Sequence, residues 1–94
     1  MSVVALLSIE LHFRGACSLK DKRAVLRSLK DRLRKLNVAL AEIDHQDLWQ
    51  RARLGIVTIS ATRDGVDQSL EAVIDEIERY DPDIIVDTVL EWLA

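Results

Sequence analysis

Residues 19–36 have helical spacing, and two arcs of that helix differ in kind. Val25, Leu26, Leu29, Leu33 and Leu36 share one side. Lys20, Arg23, Arg27, Lys30 and Arg34 fall within roughly 80° of the opposite arc, at about 100° per residue. A helix divided this way cannot stand alone. Its leucine side must be covered by other elements, and its cationic side must face water or an anion.

The rest of the chain supplies that cover. Residues 3–12 are rich in Val, Leu and Ile and read as a strand. Val3, Ala5, Leu7, Ile9, Leu11 and Phe13 lie on one side of it, which is wholly apolar and is expected to face the helices. Arg14 to Cys17 form a loop, and Ser18 looks like a helix cap with Asp21 three residues on. The first helix is expected to reach about Leu36, with Asn37 as its stop. Residues 38–44 and 52–61 read as strands, joined by a polar connection from His45 to Arg51, and Gly55 suggests a bulge or a close backbone approach. Asp64 or Thr62 caps a second helix built on Val66, Leu70, Val73, Ile74 and Ile77, which Asp81 and Pro82 end. Residues 84–92 make the last strand.

The order is β-α-β-β-α-β, an α+β arrangement in one domain spanning residues 1–94. Its economical packing is a two-layer sandwich, both helices on one face of an antiparallel sheet of strand order 4-1-3-2. The other sheet face is then open. Val4, Leu6, Leu54 and Ile56 are expected on it beside Ser8, Thr58 and Ser60, as an apolar patch suited to a partner or a second copy of the chain.

Charge divides the chain. Residues 1–53 hold 11 basic and 6 acidic side chains, and residues 54–94 hold 2 basic and 10 acidic, so a net charge of −3 conceals a basic half and an acidic half. The basic helix start, with free backbone N–H groups and Lys20, Lys22 and Arg23, suits phosphate. No GxxxxGKS/T or GxGxxG sequence is present. A nucleic-acid contact would therefore be electrostatic and led by Lys20, Arg23, Arg27, Lys30 and Arg34, with Lys22, Arg51 and Trp49 extending it. The bland alternatives are a solvated helix face and a tryptophan that covers the sheet end.

Other chemistry has weaker support. Asp44, His45 and Asp47, with His12, could be arranged around Zn or Mn, but their spacing suits a turn whose carboxylates bond local backbone. Cys17 is the only cysteine, so no internal disulfide can form and a reducing cytoplasm fits. The apolar start carries Glu10 and lacks a basic leader, which argues against a signal peptide or a membrane span. No catalytic residue, metal site or cofactor is assigned.

Two stretches resemble a known family. They are Glu10-Leu-His-x-x-Gly-x-x-Ser-Leu-Lys-Asp-Lys-Arg23, followed by Ser28-Leu-Lys-Asp-Arg-Leu33, and Ala41-Glu-Ile-Asp-His-Gln-Asp-Leu-Trp-Gln-Arg-Ala52. Together they resemble the bacterial YlxP-like proteins, a family of unknown function. The resemblance implies a small ferredoxin-like fold and brings no activity or catalytic residues. Genes of that family often lie near those for translation initiation and ribosome maturation factors, a circumstantial context that leaves the function open. The leading expectation is a small cytoplasmic binding protein that contacts RNA through the basic helix. The alternatives are a protein-interaction module or homodimer using the open sheet face, and an enzyme with a site at the loop end of the sheet.

Overall fold

A computed structural model describes residues Met1 to Ala94. Its elements are β1 (Val3–His12), α1 (Leu19–Leu33), β2 (Ala39–Asp44), β3 (Arg51–Ser60), α2 (Arg63–Tyr80) and β4 (Ile85–Trp92). The four strands are antiparallel in the order β2-β3-β1-β4, the expected order read from the opposite edge.

Local chemistry sets the helix ends. Ser18 Oγ accepts from the Asp21 N–H at 3.1 Å, and the Asp21 carboxylate accepts from the Cys17 N–H at 2.9 Å. Thr62, not Asp64, caps α2, its Oγ1 accepting from the Gly65 N–H at 3.0 Å. The first helix stops at Leu33, short of Leu36. Asn37 explains the early exit. Its carbonyl accepts from Thr58 Oγ1 at 2.7 Å and its Nδ2 donates to the Ile59 carbonyl at 2.9 Å, so the chain is already tied to β3. That bond also satisfies the hydroxyl of Thr58, which is buried.

The core lies between the helices and one sheet face. Ala5, Leu7, Ile9, Leu11 and Phe13 meet Leu26, Leu29 and Leu33 of α1 and Val66, Leu70, Val73 and Ile77 of α2. The expected facing of β3 is reversed. Register places Leu7 opposite Ile56 and Ile9 opposite Leu54, and cross-strand partners share a face. Leu54 and Ile56 are therefore core residues at 0% exposure, with Thr58 and Ala52 beside them, and they cannot belong to an open patch. Arg53, Gly55, Val57 and Ile59 take the open face instead, where Val4 and Leu6 lie as expected. Gly55 is a point of close approach. A Cβ there would sit 3.1 Å from Cγ2 of Ile43, whose side chain crosses it, while the register irregularity falls in β2 between Glu42 and Asp44.

Candidate nucleic-acid interface

The leucine arc of α1 is turned into the core, so the cationic arc is directed outward along the β2 edge. Arg23, Arg27, Lys30 and Arg34 line one cavity of about 290 Å³ with Leu26 and Glu42. Arg23, Arg27 and Lys30 make no ion pair, and Arg34 reaches only Asp31, one turn away on its own helix, at 3.1 Å. Such an exposed pair holds little energy and yields readily to a stronger anion. Lys20 is exposed at the first turn of α1 and is also unpaired, but does not line this cavity.

Lys22 corrects the expected site. It is 1% exposed and its ammonium is enclosed. The Nζ donates to the carbonyls of His45 at 2.8 Å, Arg51 at 3.1 Å and Gln46 at 3.4 Å. It also lies 3.0 Å from Glu42 Oε2, a contact that neutralises charge without an aligned hydrogen bond, because the three N–H groups are directed at carbonyls. Lys22 has no donor left for a phosphate. It clamps the His45–Arg51 connection onto the start of α1, and Glu42 carries its counter-charge at the edge of the basic cavity.

That connection carries the remaining predicted residues. Trp49 is half-exposed and lines a cavity of about 390 Å³ with Leu48, Gln50 and Arg51. Arg51 is exposed, its Nε 3.9 Å from Glu10 Oε2. His45 has φ of +64°, a left-handed conformation that is uncommon outside glycine. Two contacts hold it there. Its carbonyl accepts from Lys22, and its Nε2 lies 2.9 Å from Glu10 Oε2. Asp44 Oδ1 accepts from the His45 N–H at 2.8 Å, the local backbone bond that a turn reading anticipates.

Glu10 is a residue that sequence reasoning passed over. It stands on the open face of the central strand β1 and is buried. Its Oε1 accepts from Arg53 Nε and lies 3.0 Å from Arg53 Nη2, while its Oε2 meets His45. The signal for it was the one carboxylate of β1, flanked by Ile9 and Leu11, and the structure sets it opposite Arg53 in register. Near this cluster the open face is polar. Towards the other end of the sheet it becomes apolar on the β3 side, with Val57 and Ile59 exposed beside Leu6 and Val4, while Glu91 of β4 stands beside Leu6 on the other side.

The fold and the cationic cavity define a ferredoxin-like α+β protein with one basic helix. Two solved structures share the fold. The de novo designed protein Foldit4 superimposes with a TM-score of 0.60 at 9% identity, over 100% of this chain and 98% of its own. The de novo designed protein Ferredog-Diesel gives a TM-score of 0.57 at 15% identity, over 94% of this chain and 83% of its own. The family is set by sequence: residues 4–89 match the profile of the family described as "Protein of unknown function (DUF503)". The Bacillus subtilis (strain 168) protein described as "Uncharacterized protein YlxP" is 38% identical over 78 residues, covering 82% of this chain and 85% of that one. The chain belongs to this YlxP-like family.

Proposed function

We propose that this chain is a cytoplasmic RNA-binding protein, with ribosomal RNA as its natural ligand, and that the cavity between α1 and β2 holds the phosphodiester backbone. The observation that carries this reading is the set of three unpaired cations, Arg23, Arg27 and Lys30, lining one cavity with Arg34. On a helix these positions are separated by about 4.5 to 6 Å of rise, close to the spacing of phosphates along an extended single strand. Trp49 is half-exposed on a connection that Lys22 fixes to the same helix, and offers a face on which a base can stack. The test is fluorescence anisotropy of a labelled single-stranded RNA titrated with the protein. Arg23→Glu/Arg27→Glu/Lys30→Glu leaves the circular dichroism spectrum unchanged and abolishes binding. Unaltered affinity in that variant excludes this surface.

A second reading is homodimerisation through the open sheet face. It is favoured by Val57 and Ile59, exposed on β3 directly opposite Leu6 and Val4. Sedimentation equilibrium would then give a dimer that Ile59→Asp converts to a monomer. A monomeric wild-type chain at high concentration removes this reading.

A further inference from the structure

The molecule has a second groove, opposite in chemistry to the first. It runs between α2 and β4, has a volume of about 340 Å³, and is floored by half-buried Ile74 and exposed Leu90, with the core residue Leu70 beneath them. Asp67, Glu71 and Asp75 form its wall, and none of the three makes an ion pair, whereas Glu76 on the same helix is engaged by Arg32 and Arg79. Beside the groove, β4 is a sheet edge. It is eight residues long, contains no lysine, arginine or proline, and pairs regularly with β1 from Asp87 to Trp92. The charged side chains of this edge, Asp87 and Glu91, are both acidic, and its one irregularity lies at the Val86 end, so from Asp87 to Trp92 it repels an acidic strand and accepts a basic one. The other edge, β2, is shorter, irregular near its end, and flanked by the cationic cavity.

We propose that β4 and the α2 wall form a docking surface for an extended basic segment of a partner protein, which adds as a fifth strand with Lys or Arg at alternate positions. Geometry supports this occupant. Asp67, Glu71 and Asp75 are four residues apart, which on a helix is about 6 Å of rise per step. Same-face side chains of a strand recur at about 6.6 to 6.8 Å. A strand lying along β4 therefore presents one cation to each carboxylate. The aliphatic stems of those cations cross Leu90 and Ile74 before their heads reach the acidic wall. Backbone pairing along the edge supplies affinity, and the alternating charge supplies selectivity.

The experiment uses the full chain and a short synthetic peptide alternating valine and lysine, followed by calorimetry and by amide resonances. The expected result is saturable binding, with shifted and more slowly exchanging amides along Ile85–Trp92. Asp67→Asn/Glu71→Gln/Asp75→Asn weakens it about tenfold, the combined effect expected of three exposed pairs. A peptide alternating valine and glutamate does not bind, and a proline at the centre of the lysine peptide abolishes binding by removing a strand N–H. The proposal is overturned by unchanged affinity in the triple variant, by amide shifts confined to other strands, or by an isotherm explained by self-association of the chain. The triple variant keeps every cation of α1 and does not weaken RNA binding, so this test stands apart from that of the basic cavity.

Discussion

A lysine on the inner face of a helix is the most consequential single residue of this chain. Lys22 gathers three carbonyls from a connection more than twenty residues away and sits against Glu42. Removing one member of a buried ion pair leaves the other charge without compensation, which costs about 3 to 5 kcal/mol. Glu42 keeps some contact with water, so the lower end of that range applies. Lys22→Met should therefore lower unfolding stability by about 3 kcal/mol in urea titration, and amides from His45 to Arg51 should exchange faster. Arg23→Met, one residue on and exposed, should change stability by less than about 0.5 kcal/mol. Equal effects of the two substitutions would remove the clamp from the account. The distinction was available in the sequence. Counted from Lys20, Lys22 lies at about 200° on the helix, inside the arc of the leucines and far from the other cations. Composition drew attention to another lysine beside a basic stripe, and helical phase placed it in the core. What the phase could not supply was its partner, because Glu42 lies on a separate strand that only the folded sheet brings to α1.

Elements were more legible than their facing. Each helix announces itself by a cap, an apolar arc and an end, and both appear with the expected inward residues. The strand order follows from two helices covering one side of four strands. The phase of β3 was hidden because both of its faces are partly apolar. Leu54 and Ile56 alternate against Val57 and Ile59, and parity alone does not say which pair faces the helices. Pairing with β1 decides it, since a central strand must match the face of its neighbour. Truncation separates the two sets. Leu54→Ala should destabilise the fold by about 3 kcal/mol, the usual cost of emptying a buried leucine site. Val57→Ala, on the open face, should cost under about 1 kcal/mol. Chemical denaturation of the two variants tests the register, and the reverse ranking would contradict it. The early end of α1 was likewise beyond local reading, because it depends on Asn37 and Thr58, which are distant in sequence and adjacent only once the sheet has formed.

Across the whole molecule the two helices carry opposite charge to opposite sheet edges. Arg23, Arg27, Lys30 and Arg34 lie along the β2 side, while Asp67, Glu71 and Asp75 lie along the β4 side. A polyanion approaching the chain is attracted by one edge and repelled by the other, so orientation is imposed before contact. The magnitude is measurable. If four cations each displace a counterion from single-stranded RNA, the logarithm of the association constant falls with the logarithm of salt at a slope of about −2.8. Neutralising three of them by Arg23→Gln/Arg27→Gln/Lys30→Gln leaves one contact and reduces the slope to about −0.7. Neutral substitutions suit this measurement because they remove counterion release without adding repulsion, so the change in slope counts contacts. Asp67→Asn/Glu71→Gln/Asp75→Asn should leave the slope near −2.8, since those carboxylates meet no phosphate in this arrangement. A shallow slope in the wild-type chain, or one that the arginine and lysine substitutions do not change, would place the RNA contact outside α1 and leave its cations as a solvated face.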